Sequence, residues 1–149
     1  MLWRLFVDFE RLSNIMHKVY LSLGTNLGNR KRNIREAIEK IEELVGGVSR
    51  QSALYETKPW GFSSPNDFIN ACVLVDTELA PRQLLEACQR IEREMGRTLK
   101  SVDGAYHDRI IDIDILMYDD LKVDEPDLVI PHPLMEEREF VMKPLREIL

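Results

Sequence analysis

The chain has 149 residues, of which 44% are hydrophobic and 31% charged, and its net charge is −6. That is one ordinary domain with a full core, and it lacks the basic balance of a general nucleic-acid binder and the run of ~20 apolar residues a membrane span needs. Two cysteines, Cys72 and Cys88, sit in apolar-patterned segments, which points to buried thiols and a reducing compartment instead of a disulfide frame or a zinc site.

Residues 1–15 read as an N-terminal extension, because Asp8, Glu10 and Arg11 interrupt its apolar run and make it a poor signal peptide. It is either a non-native start, with Met16 the natural one, or a segment packed on the domain. Residues 16–149 read as a single domain. Val19 to Leu23 predicts a strand, and Gly24 to Asn29 a turn-rich loop. That loop lacks the Gly-Lys-Ser/Thr ending of a P-loop, and leaves only weak anion binding at the following helix start. Ile34, Ala37, Ile38, Ile41, Leu44 and Val45 keep the helical period over residues 30–45, with Asn29 as the cap and Gly46 as the stop.

Val48 to Thr57 predicts a second strand, and Phe68 to Asp76 a third. The loop between them, Lys58 to Asp67, holds two prolines with Trp60 and Phe62, which is unusual for a mere connector. Pro81 suits a first helical turn; Leu84, Leu85, Cys88, Ile91 and Met95 form one apolar stripe, and Gly96 ends it. Arg97 to His107 is polar and aperiodic, so it reads as a flexible loop. Ile110 to Tyr118 is the fourth strand, followed by a short hairpin around Asp119 and Asp120, the Leu128 to Pro133 stretch and a short closing segment. The order β-α-β-β-α-β predicts an α+β, ferredoxin-like fold: an antiparallel sheet with both helices on one face. Such a fold hosts many functions, so activity has to be argued from the site.

The most informative stretch is Arg109-Ile110-Ile111-Asp112-Ile113-Asp114-Ile115-Leu116. On a strand the isoleucines turn to one face, and Asp112 and Asp114 turn to the other, about 7 Å apart at Cα. Two carboxylates so close repel, and a divalent cation between them removes the repulsion. Mg²⁺ favours one or two carboxylates plus substrate phosphates, so the pair points to metal-assisted phosphate transfer. A solvated strand face is the competing reading. Arg97, Lys100 and Arg109 flank the loop before this strand as candidate phosphate contacts, or as a solvated basic loop. His132 lies between two prolines that fix its backbone, and Arg138 follows six residues on. Trp60, Phe68, Tyr106 and Phe140 could sandwich a flat heterocycle or fill the core, and Asn70 could read a ring edge with its amide.

Four blocks then carry a family resemblance: Leu23-Gly-Thr-Asn-Leu-Gly28; Leu54-Tyr-Glu-Thr-Lys-Pro-Trp-Gly61 with Phe68-Ile-Asn-Ala71; Gly96-Arg97 with Asp108-Arg-Ile-Ile-Asp-Ile-Asp-Ile-Leu116; and Ile130-Pro-His-Pro-Leu-Met-Glu-Glu-Arg-Glu-Phe-Val141. In this order and spacing the chain resembles the 6-hydroxymethyl-7,8-dihydropterin pyrophosphokinase family of the folate pathway. The resemblance implies transfer of the terminal diphosphate of ATP to the pterin hydroxymethyl group, with release of AMP. It implies two Mg²⁺ ions held by Asp112 and Asp114, and phosphates steadied by Arg97 and Arg109. Gln89, Glu92, Lys100, Ile115, His132 and Arg138 match positions near ATP. Phe140 and Tyr106 would bracket the pterin, with Asn70 on its edge and Phe68, Thr57, Pro59 and Trp60 completing the pocket. A cytoplasmic monomer is expected, acting on small molecules with no nucleic acid and no membrane.

Departures from the family pattern are also legible. Asp108 stands where a proline is usual, Leu99 where a second arginine is common, and Phe68 where a tyrosine often sits. The other function classes weighed are a non-catalytic ferredoxin-like binding module and a metal-dependent phosphodiesterase using the same Asp pair.

Overall fold

The structure is a computed structural model that describes residues 16–96 and 108–149. Its elements run β1 (His17–Thr25), α1 (Arg30–Leu44), β2 (Gly46–Gln51), β3 (Tyr55–Thr57), β4 (Phe68–Thr77), α2 (Pro81–Glu94), β5 (Asp112–Tyr118), β6 (Val123–Glu125), β7 (Leu128–Ile130), a 3₁₀ turn (Met135–Glu137) and α3 (Glu139–Ile148). The expected β-α-β-β-α-β order is therefore present, with the second strand in two pieces. The main sheet runs β2-β4-β1-β5, with β3 also paired to β4. Every pairing is antiparallel, and the fold is ferredoxin-like.

Strand alternation divides the chain between two layers. Val19, Leu21 and Leu23 of β1, Ile69, Ala71, Val73 and Val75 of β4, and Ile113 and Ile115 of β5 face one side. There they meet Ile34, Ala37 and Ile41 of α1 and Leu84, Cys88 and Ile91 of α2, the residues that the helical period singled out. Each fully buried Val, Leu or Ile among them contributes about 1.5–3 kcal/mol relative to exposure. Asn29 does cap α1, its Oδ1 accepting the Arg32 N–H at 3.2 Å. Gly46, expected as a helix stop, has a second reason to be glycine. It opens β2 against β4 so closely that a Cβ would lie 1.9 Å from the Asp76 carbonyl oxygen.

The structure corrects four readings. The strand expected over Val48 to Thr57 breaks at Ser52, whose hydroxyl takes the Cys72 N–H at 2.9 Å in place of a backbone carbonyl. Pairing of the fourth strand starts at Asp112 and not at Ile110, because Arg109 is engaged with Asn26 of the β1–α1 loop. The turn at Asp119 and Asp120 links β5 to β6, and the hairpin itself is β6–β7. The closing segment is a full helix, α3, which covers the face opposite α1 and α2. Val141, Leu145 and Ile148 of α3 pack with Met135 on Cys72, Leu74 and Leu116. A shift of register between Tyr20 and Leu21 inserts Leu116 as an extra residue of β5, so that Met117 joins Leu116 on this second layer while Tyr118 returns to the first.

Residues 1–15, Arg97, Leu99, Lys100, Tyr106 and His107 lie outside the described residues. No helix among the described residues is long and apolar enough to cross a membrane.

Candidate active site

The face under α3 is only partly apolar. From β4 across β1 to β5, Cys72 pairs with Ser22 and Ser22 with Asp114; one row further, Asn70 pairs with Gly24 and Gly24 with Asp112. Tyr20, Leu74 and Met117 belong to the apolar layer under α3. The sheet thus offers a dry half to α3 and a polar half to a cleft. Gly24 lies in the middle of the polar half, where a Cβ would come 3.3 Å from Asn70 Oδ1 and 3.6 Å from Phe68 Cδ1. A side chain there would crowd the floor.

Three segments wall this floor. Thr57 of β3 leads into Lys58, Trp60 and Phe62 of the following loop, and Phe68 opens β4. Phe62 meets Phe68 edge-on at 6.1 Å between ring centres. Arg138 and Phe140, at the start of α3, form the second wall, and Arg109, just before β5, forms the third. Asp112 and Asp114 line the same cleft.

Its electrostatics follow from those neighbours. Arg109 Nη1 lies 2.9 Å from Asp112 Oδ1, with side-chain exposures of 10% and 24%. Asp114 lies deeper. Burial first, and then the charge and hydrogen bond of Asp112, hold its carboxyl well above the usual range, against the opposing pull of Arg138. The guanidinium of Arg138 sits 4.5 Å from the Trp60 ring centre and 5.7 Å from that of Phe140, a stacked arrangement that suits arginine. Asn70 is 3% exposed, and its Nδ2 donates to Thr57 Oγ1 at 2.7 Å and to the Tyr55 carbonyl at 3.4 Å. Both amide protons are thereby committed to β3, and Oδ1 is left as the acceptor on the Gly24 side.

Most of the residues expected at the site converge here: Arg109, Asp112, Asp114, Arg138, Thr57, Trp60, Phe68, Asn70 and Phe140. Arg97, Lys100 and Tyr106 lie outside the described residues. Pro59 is in the wall loop but does not line the cleft. Ile115 turns its side chain into the helix-covered core, on the face away from the acids. Gln89 and Glu92 are on α2; Glu92 is buried, and its Oε2 accepts the Ile113 N–H at 2.9 Å, bracing the strand between the two acids. His132 is held by a backbone bond from its N–H to the Leu116 carbonyl, and its Nδ1 accepts the Leu134 N–H at 3.2 Å. Burial and then Arg138 push the His132 pKa down, with Asp112 opposing. The ring is therefore neutral near pH 7, with its proton on Nε2.

Ser22, Gly24 and Lys58, which were not singled out from sequence, complete the lining together with Phe62 of the aromatic loop. The signal for the first two is the alternation of β1, which puts the small residues Ser22 and Gly24 on the face of the acids.

Among the described residues no group of three or more His, Cys, Asp or Glu could hold a metal ion. Two neighbouring carboxylates, the pKa of one raised by burial and then by the other, nevertheless form a hard oxygen donor set suited to Mg²⁺ shared with phosphates.

Three comparisons with known proteins agree. Residues 20–149 match the family model 7,8-dihydro-6-hydroxymethylpterin-pyrophosphokinase (HPPK). The chain is 50% identical over 131 residues to 2-amino-4-hydroxy-6-hydroxymethyldihydropteridine pyrophosphokinase of Porphyromonas gingivalis, covering 87% of this chain and 89% of that one. It is 42% identical over 134 residues to the protein of the same name from Methylorubrum extorquens, covering 89% and 83%. The crystal structure of Plasmodium falciparum HPPK-DHPS wild type with SDX-DHP superposes with a TM-score of 0.70 at 18% identity, covering 89% of this chain. This chain spans 40% of that longer one, and at such identity the likeness concerns the fold.

Proposed function

This chain belongs to the 7,8-dihydro-6-hydroxymethylpterin-pyrophosphokinase family and transfers pyrophosphate from ATP to hydroxymethyldihydropterin in folate synthesis; we propose that the cleft above Gly24 is where it does so. The observation that carries this reading is the two rows of the floor. Asp112 and Asp114 stand at one side and Asn70 at the other, with only Ser22 and Gly24 between on β1.

Asp112 and Asp114 would hold two Mg²⁺ ions, which when bound supply charge neutralisation to the ATP phosphates. The Asp side of the cleft is then the phosphate side. Arg109, Arg138 and neutral His132 (through Nε2–H) donate to phosphate oxygens there, and Gln89, Glu92 and Ile115 belong to the nucleotide end. Arg97 and Lys100 would add cations from the loop before β5. The aromatic side is the pterin side. Phe140 stacks on one face of the ring, and Tyr106 is assigned to the other. Thr57, Trp60 and Phe68 close the pocket, Pro59 shapes the loop that carries Trp60, and Asn70 Oδ1 accepts from a ring N–H. The hydroxymethyl oxygen then bonds to the β-phosphorus of ATP, losing its proton to water, while the bridging bond from that phosphorus to the α-phosphate oxygen breaks. AMP leaves, and the diphosphate stays on the pterin. Positioning and charge stabilisation supply the catalysis, as in other phosphoryl transfers.

The test is AMP formation from ATP and hydroxymethyldihydropterin with Mg²⁺, in the parent and in Asp112→Ala. Calorimetry with a non-hydrolysable ATP analogue adds a second reading. Pterin binding that is indifferent to nucleotide, or an active Asp112→Ala, would remove the site assignment. Membership of the family retires the non-catalytic module as an alternative. The aromatic pocket favours a flat acceptor over the water of a phosphodiesterase. Buried, unpaired Cys72 and Cys88 support a reducing, cytoplasmic setting, and a monomer is proposed.

A further inference from the structure

Asp108 immediately precedes Arg109, and its carboxylate ties together three segments. Oδ1 accepts from Asn26 Nδ2 at 2.7 Å, and Oδ2 accepts from Asn66 Nδ2 at 3.1 Å. Asn26 is 3% exposed and belongs to the β1–α1 loop. Its backbone N–H donates to the Arg109 carbonyl at 3.1 Å, its Oδ1 accepts the Arg109 N–H at 2.7 Å, and its Nδ2 also donates to the Asn66 carbonyl at 3.2 Å. Asn66 lies in the same loop as Lys58, Trp60 and Phe62, so one carboxylate fixes the cation that meets Asp112 and the loop that walls the aromatic side.

Charge-assisted bonds of this kind are about twice as strong as neutral ones and impose direction on both partners. Asn26 has both amide protons, its carbonyl and its own N–H committed, which leaves little slack between the segments. A proline at 108 has no carboxylate to offer either asparagine. The Arg109 entrance and the aromatic wall would then be set independently.

We propose that Asp108 is a positioning residue that couples the setting of Arg109 to the closure of the aromatic wall, acting through Asn26 and Asn66. The inference rests on the reading of Arg109 and the residue 58–67 loop as phosphate and pterin contacts. It predicts that turnover and pterin affinity are linked through a side chain that touches neither substrate.

The test is a set of variants assayed for AMP formation: Asp108→Asn, Asp108→Ala, Asn66→Ala, Arg109→Ala and the pairs Asp108→Ala with each of the last two. Asp108→Asn keeps the shape but turns an amide donor toward an asparagine donor. It should lower kcat and raise the KM for pterin, each by about tenfold, with ATP affinity within about twofold of the parent. In the Asn66→Ala background, Asp108→Ala should add less than about twofold to the pterin KM, and in the Arg109→Ala background less than about twofold to the loss of kcat. In a Trp3→Phe background, Asp108→Asn should also shift the emission of Trp60, the remaining tryptophan. Additive effects in both pairs, or parental kinetics in Asp108→Asn with only a lower Tm in Asp108→Ala, would overturn the proposal. If Arg109→Ala itself leaves turnover unchanged, the cleft assignment fails; if Arg109→Ala is slow while both Asp108 variants are normal, only the coupling fails.

Discussion

Arg109 grips Asp112: Nη1 and Oδ1 are 2.9 Å apart, and the guanidinium is only 10% exposed. In the free enzyme this pair spares Asp112 some of the repulsion from Asp114. When nucleotide arrives, the same guanidinium has phosphate oxygens to meet, and exchanging one anion for another costs little. The contact should be strongest as charge shifts during transfer. Arg109→Ala is expected to lower kcat by about 10²–10³-fold, the range seen for loss of one preorganised donor, while the ATP dissociation constant changes much less. Steady-state kinetics beside equilibrium ATP-analogue binding checks this; a pure loss of ATP binding at unchanged kcat would refute it.

Asp114 carries a stability signature. Its folded-state pKa lies above the ordinary carboxyl value through burial and Asp112. The folded state therefore holds a proton that the unfolded state has lost, over the window from the ordinary value of 3.8 up to the raised one. Stability of the ligand-free enzyme from this group is fully present below that window and is lost as pH rises through it. Asp114→Asn should accordingly raise the ligand-free Tm at pH 7 by a few degrees, since about 1 kcal/mol moves Tm by roughly 2–4 °C at this size, and should abolish activity. Calorimetric melts at pH 4 and pH 7 are the check, with the gain largest at pH 7. An equal gain at both would show that charge is not the cause.

Asn70 commits both amide protons to Thr57 and Tyr55. What remains toward the cleft is an acceptor, so the site should select a ligand edge that donates. Asn70→Ala is expected to raise the pterin KM by about 10–100-fold, with ATP binding nearly unchanged. A pterin analogue whose ring N–H is replaced by an acceptor should lose affinity for the parent but not for the variant. Equal losses in both proteins would place the ring edge elsewhere.

His132 is expected to act as a neutral donor. Because burial and Arg138 lower its pKa from 6.5, the imidazole stays neutral below that value, and protonation enters only at more acid pH. The His132→Ala enzyme should show an ATP KM raised by about tenfold, one lost hydrogen bond to a charged group. Nitrogen-detected NMR titration of the parent should find Nε2 protonated and Nδ1 bare at pH 6.5. The opposite tautomer would rule the role out.

Much of this was legible in the residues because local chemistry and global fold agree. The isoleucines of β5 and the helical stripes of α1 and α2 each match one buried layer, so periodicity alone located the main core and put both acids on the other face. The failures have physical causes. Ser52 breaks a strand by substituting a hydroxyl for a carbonyl, and no period announces that. Ile115 shares a stretch with the acids, but strand alternation turns its side chain into the core, so only its backbone is left to meet a nucleotide. The bond from the Ile113 N–H to the buried Glu92 carboxylate, which braces the strand between the acids, is likewise announced by no period. Gly24 and Ser22 carry no chemistry of their own; they matter because β1 runs between Asn70 and the acids, a fact of strand order. The second core under α3 does not show in the period because half of its sheet surface is polar, and the bulge at Leu116 adds Met117 to the apolar half against strict alternation.

That bulge has a consequence for vulnerability. α3 begins at the arginine and phenylalanine that wall the cleft and is fastened by Val141, Leu145 and Ile148 to Cys72, Leu74 and Leu116. A crowding or cavity-forming change in that distant apolar patch would let the helix drift, and its leading end would drift with it. Inhibition could therefore be achieved from behind, by a compound or lesion that never competes with either substrate.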